Sequence, residues 1–242
     1  MIHKTRGIVL NHTRYGETSA IVHVFTLGFG TQSYMVNGVY GAKRKDKVLL
    51  LQPLNLLEME VYYKLGKEIQ RIKEFKLERA LMRIPFSQVR RAQAFLITEI
   101  LSKVLRNENA NLPLFTFIED AIEFLDSDND GLENFHLFFL FHLTRFLGFY
   151  PHNNHSLAFP FFDLMEGCFI SSEAGHPHFL NAENSTVFIR LFQATQNDLS
   201  IISVNVHERR IILNALITLY ELHFSGIGRW RTLDVLGELF KE

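Results

Sequence analysis

The sequence predicts an α+β chain in which five strands close into a small barrel and an all-helical half follows. Three observations carry this. Up to about residue 79, runs rich in Val, Ile, Thr and Tyr follow a strand pattern; beyond Pro85 the apolar residues recur at spacings of three and four; and the charge balance reverses at the same place. Residues 1–80 hold 13 Lys and Arg against 7 Asp and Glu, leaving 12 against 19 for 81–242, so a formal net charge of −1 conceals a basic half and an acidic one. Such asymmetry separates a part that faces a polyanion from a part with other work.

The predicted strands are TRGIVLNHT (5–13), SAIVHVFTL (19–27), TQSYMVNGVY (31–40), KVLLLQPLNLLEMEVYYKL (47–65) and EIQRIKEFKLE (68–78). GFG at 28–30 turns the chain between the second and third, and LGK at 65–67 closes the hairpin between the fourth and fifth. The fourth run is long for a strand, and Pro53 predicts a bend near its start.

Helical spacing then takes over. Ser87 is a cap residue before Val89, Ala92, Leu96, Ile100, Leu101 and Val104, a helix ending near Asn107. Pro113 opens a second helix, LFTFIEDAIEFLDS. A third, FHLFFLFHLTRFLGFY (135–150), stops at Gly148 and Pro151. It is shorter than the roughly 20 apolar residues that span a bilayer and is interrupted by His142, Thr144 and Arg145, which predicts burial among other helices. An irregular stretch, 151–182, precedes helices in AENSTVFIRLFQAT and HERRIILNALITLYELHFSG and a short terminal one, LDVLGELF. The expected domains are therefore 1–80 and 81–242.

Several chemistries are disfavoured. Cys168 is the only cysteine, which rules out an internal disulfide and fits a reducing, cytoplasmic setting; the opening MIHKTRGIVL has too short an apolar run for a signal peptide. DSDNDGLENFHL (126–137) begins like a calcium loop, with Asp126, Asp128, Asp130 and Gly131 in place, but position 12 is Leu137 where a bidentate Glu is needed. No phosphate loop, G-x-S-x-G or H-E-x-x-H occurs, and nothing marks a nucleophile. The expectation is a protein without enzymatic activity, cofactor or metal.

Five strands in about 75 residues suit a Greek-key barrel of the OB type, whose face and loops hold single strands of nucleic acid. Such binding needs cations for the phosphates and flat rings for the bases. In GVYGAKRKDK (38–47), Lys43, Arg44, Lys45 and Lys47 meet the first need, with Lys4, Arg6 and Arg14 adding to the same surface; Tyr34 and Tyr40 meet the second, although such tyrosines equally pack a sheet. Read this way, the residues leave a nucleic-acid binder and a bland β module both open. The latter becomes a helical scaffold whose β module binds a protein partner, and a metallohydrolase built on the histidine-rich segment is a third reading.

YGETSAIVHVFTLGFG (15–30), GAK (41–43), LQPL (51–54), LITEILSKVL (96–105), LTRFLGFYP (143–151) and WRTLDVLGEL (230–239) together resemble, in order and along the whole chain, the RecO family of bacterial recombination mediators. The resemblance implies an OB domain followed by a helical domain, and a non-enzymatic protein of DNA repair near the nucleoid. Such proteins bind single- and double-stranded DNA, anneal complementary strands, associate with RecR and help load RecA onto strands coated by single-stranded DNA-binding protein. It makes Gly41, Ala42 and Lys43, continued by Arg44, Lys45 and Lys47, the DNA-facing turn, while Glu17, Thr18 and Ser19 look structural. For the acidic, Phe-ended tail of the single-strand binder, Arg90, Arg91 and Arg145 are the candidate cationic rim. Many relatives carry zinc-binding cysteines after the third helix. Here HNNHSLAFPFFDLMEGCFISSEAGHPH has only Cys168 beside His152, His155, His176 and His178, too few thiolates for that site.

Overall fold

A computed structural model describes residues 1–40 and 46–233, in two compact units, Met1–Ser127 and Asp128–Glu242. The terminal LDVLGELF segment lies outside the described residues but for Leu233.

The first unit is built on a closed barrel of β1 (Ile2–Tyr15), β2 (Ser19–Thr26), β3 (Gly30–Val36), β4 (Leu56–Tyr62) and β5 (Ile69–Leu77), in the order β1-β2-β3-β5-β4. This is the five-stranded OB arrangement. β1 serves two neighbours in turn: residues 2–8 pair with β4 and residues 7–15 with β2, with an irregularity between Val9 and Asn11 that bends the strand. At the crossover stands Gly7, where a Cβ would come 2.5 Å from Val24 Cγ1 and 2.9 Å from Met59 Sδ, so these two core side chains fill the space that a side chain there would need. The barrel closes through a short parallel seam, Ser33–Ile69, Tyr34–Gln70 and Met35–Arg71. Its core is filled from alternate positions by Val9, Val22, Val24, Tyr34, Leu57 and Val61.

The fourth predicted strand is half right. Its second part is β4, but residues 46–50 form a helical turn, α1 (Asp46–Leu50), which delivers buried Leu51 to the barrel. A bend follows Pro53, with Leu54 held at φ 65°, and the Asn55 amide donates to the carbonyls of Leu49 (3.0 Å) and Leu50 (3.1 Å), closing the end of α1. Apolar runs such as KVLLL satisfy a buried strand or a buried helical turn equally well.

The same unit contains α2 (Gln88–Val104), capped by Ser87, and α3 (Leu112–Asp126), capped by Asn111. Both touch the barrel: Asn11 donates to Ser102 (3.2 Å), and Phe25 and Phe115 pack with ring centres 5.9 Å apart. The α2–α3 connection lies on the start of β3, where Thr31 N–H donates to Glu108 O at 2.9 Å. Gly30 (φ 64°) makes room for it, since a Cβ there would run into the backbone of Glu108, Asn109 and Ala110. Asp126, the first residue of the calcium-like run, accepts from the backbone N–H groups of Met82, Arg83 and Ile84 at 2.7–2.8 Å.

In the second unit, α4 (Leu132–Leu147) is buried along most of its length, with Phe141 meeting Phe188 at 5.0 Å and Phe192 at 5.2 Å. The stretch expected to be irregular contains a small sheet, β6 (Phe161–Asp163), β7 (Cys168–Ile170) and β8 (Phe179–Leu180), ordered β7-β6-β8. Ser185 ties it to α5 (Ala182–Gln193), accepting from Phe162 N–H and donating to Leu180 O. α6 (Val206–His223) opens with a reciprocal Asn205–Glu208 cap, and Tyr220 donates to Leu140 O at 2.7 Å. No described helix is long and apolar enough to cross a membrane.

Candidate nucleic-acid interface

One end of the barrel carries the residues flanking the basic turn. The turn between β1 and β2 and the strand exit at 37–40 are joined by the Thr18 carbonyl, which accepts from Val39 N–H (2.7 Å) and Tyr40 N–H (3.1 Å), and by Ser19 donating to Asn37. Arg14 crosses this junction. Its guanidinium donates to the carbonyls of Gly16 (3.3 Å) and Glu17 (2.9 Å) and stacks 5.1 Å from the centre of the Tyr40 ring. Lys47, on α1, holds its ammonium 6.0 Å from the Phe75 ring. Lys43, Arg44 and Lys45 lie outside the described residues, between these two fixed points in the sequence.

Other expected site residues are elsewhere. Tyr34 points into the barrel with no exposed surface, and burial raises its phenol's pKa, so it offers no ring to a base. The alternation that puts Val36 inside puts Tyr34 there too. Arg6 is taken up by two carboxylates, Glu78 (2.7 Å) and Glu119, which push its pKa further up, and it lies over Phe115. It fastens α3 to the barrel instead of facing a phosphate. Lys4, Lys73 and Glu60 form an ion-paired cluster, as do Lys76 and Glu58, so the broad cleft of about 570 Å³ on the β1–β4–β5 face is nearly balanced in charge.

Of the expected rim cations, Arg90 is buried and donates to the carbonyls of Leu125 and Ser127, a structural role that removes it from any surface site. Arg91 is exposed and donates to Pro85 O at 2.8 Å. Arg145, in the second unit, is exposed and lies 4.7 Å from the centre of the Tyr150 ring. Around β6–β8, His176 meets Asp163 at 3.2 Å. Among the described residues, no group of three or more His, Cys, Asp or Glu is placed to hold a metal ion.

Beside the parallel β3–β5 seam is a feature missed by sequence reasoning. The β4–β5 loop, 63–68, and the start of β5 form a cleft of about 240 Å³ lined by Tyr62, Tyr63, Lys64, Lys67, Gln70 and Arg71 with Met1. The density of cations around the LGK turn was the available signal.

Two family models cover nearly all of the chain: Recombination protein O N terminal over residues 1–81 and Recombination protein O C terminal over residues 89–231. The chain belongs to the RecO family. Its relatives named DNA repair protein RecO include those of Phocaeicola vulgatus (34% identical over 240 residues, 99% of this chain and 100% of the relative) and Flavobacterium psychrophilum (33% over 238 residues, 98% of each). That of Porphyromonas gingivalis is 31% identical over 245 residues, again 99% and 100%. As a RecO-family protein the chain has its role in DNA repair and recombination. The family's N-terminal model falls on the barrel, so the Arg14–Tyr40 stack and the basic turn both lie within it.

Proposed function

We infer that the barrel holds DNA at the end where Arg14, Tyr40 and Lys47 flank the basic turn, and that the protein acts without catalysing a reaction. The observation that carries this is the Arg14–Tyr40 stack beside a segment holding Lys43, Arg44 and Lys45. It joins a cation to an aromatic plane, the pairing that single strands require. Family membership supports the rest of the reading: binding of single- and double-stranded DNA, annealing of complementary strands, and, with RecR, loading of RecA onto strands coated by single-stranded DNA-binding protein. In the helical part, the exposed Arg145 over half-buried Tyr150 is the better candidate for the acidic tail of that protein, with Arg91 as a second.

The test is a salt titration of single-strand binding. Four to six phosphate contacts give log affinity against log salt a slope of about −3 to −4, and K43E/R44E/K45E flattens it. Unchanged affinity and slope in that variant would move the site off this turn. For the tail, no calorimetric heat at tens of micromolar protein would remove the assignment.

A further inference from the structure

The cleft beside the parallel seam has the chemistry of an anion site. Lys64, Lys67 and Arg71 are all exposed, and among the described residues no carboxylate pairs with any of them, whereas Lys4, Lys73 and Lys76 on the β1–β4–β5 face are all neutralised. The frame of the cleft is fixed from inside. Gln70 is only 2% exposed; its amide donates to the carbonyls of Lys64 and Lys67 (2.8 Å each) and accepts from Lys64 N–H (3.0 Å), so one buried side chain sets the loop that carries both lysines. Tyr62 is 45% exposed and pairs across the strands with Arg71, which leaves a ring free beside the cations.

Strand register places this cleft on a continuous outward row. Tyr62 pairs with Arg71, Arg71 with Met35, Met35 with Ile21 and Ile21 with Thr13, and residues directly opposite one another point to the same side of a sheet. Arg14 is the next residue after Thr13, so the arginine that stacks on Tyr40 stands about three strand spacings from Arg71, or about 14 Å along the sheet. What lies between suits a polyanion. Met35 and Ile21 are half-buried and uncharged, and neither β2 nor β3 contains an Asp or Glu, so no carboxylate from these strands repels a phosphate chain laid across them. We propose that the 62–71 cleft is a second grip on the same single strand that is held at the Arg14–Tyr40 end: Lys64, Lys67 and Arg71 take backbone phosphates and Tyr62 stacks on a base, with the strand crossing β2 and β3 between them. This rests on the DNA-binding reading above and adds to it the β4–β5 loop and the direction of the strand over the barrel.

The experiment is a salt titration by fluorescence anisotropy, with a labelled oligothymidylate of about 16 nucleotides and the full-length protein. K64E/K67E/R71E is compared with K4E/K73E/K76E, which makes the same change of charge on the neutralised face, and with the milder K64Q/K67Q and Tyr62→Ala, each matched to the parent by circular dichroism melting. Loss of three phosphate contacts is expected to flatten the slope of log affinity against log salt by about 2 and to weaken binding about tenfold or more; K64Q/K67Q flattens it by about 1. Tyr62→Ala is expected to weaken binding about fivefold or more with the slope unchanged, and K4E/K73E/K76E to stay within about threefold of the parent. Parental affinity and slope in K64E/K67E/R71E overturn the proposal, and so does an equal loss in K4E/K73E/K76E, which would mark the effect as one of net charge. If K43E/R44E/K45E loses binding while K64E/K67E/R71E keeps it, only the second grip falls; if the parent protein binds no single strand, it is the underlying reading that fails.

Discussion

The guanidinium of Arg14 lies 5.1 Å from the centre of the Tyr40 ring while donating to the carbonyls of Gly16 and Glu17, so a single side chain ties the β1–β2 turn to the last described residue before the basic segment. Arg14→Ala and Tyr40→Ala each remove half of that stack. Each is expected to weaken single-strand binding by about 1–3 kcal/mol, measured by fluorescence anisotropy, with Tyr34→Phe leaving affinity unchanged.

Arg6 gives the opposite outcome. Its guanidinium is occupied by Glu78 and Glu119, so Arg6→Met is expected to lower stability by about 1–2 kcal/mol in urea unfolding and to leave DNA affinity unaltered. A loss of affinity without loss of stability would return Arg6 to the binding surface.

Much of this contrast lies beyond local sequence. Arg6 reads as one more cation in a basic half because its partners stand 72 and 113 residues away. The barrel itself was legible, since β2 alternates between half-buried and buried positions over Ser19–Val24 and β3 over Ser33–Val36, and the cap at Ser87 sits where side-chain chemistry requires it. Following that alternation through to Tyr34 would have placed its ring inside. The helical turn at 46–50 was illegible because only the barrel's interior decides between strand and helix for a short apolar run. Gln70, which shapes the second cleft, acts through backbone carbonyls that leave no sequence pattern.

Acid should loosen the second unit. His136 is fully buried, and burial with the nearby charge of Arg209 pushes its pKa down to about 3; His142 is pushed down to about 4 by burial and Arg145, against the carbonyls of Leu191 and Ala194. Both folded values lie below the unfolded value of about 6.5, so the folded form binds fewer protons and stability, fully present above that pH, falls as the pH drops through it. At pH 5 His136 alone is expected to cost about 2 kcal/mol, and His136→Phe or His136→Leu should flatten the decline in thermal unfolding between pH 7 and 5.

Gly30→Ala places a methyl group against the backbone of 108–110 at a positive φ, and a loss of about 2 kcal/mol or more in urea unfolding is expected. Gly16→Ala, at a similar φ with open space around it, should cost less than half as much.

The bond from Thr31 to Glu108 has a further consequence. β5 joins β3 only from Ser33 onward, so the first residues of β3 would be a bare strand margin were the α2–α3 connection not lying across them. A fragment severed after residue 80 would keep all five strands yet uncover that margin, together with the ring of Phe25 and the guanidinium of Arg6. Edge-to-edge self-association is the natural fate of such a surface. The helices that follow the barrel thus act as its sheath, and the smallest piece of this chain that stays monomeric should end near residue 127.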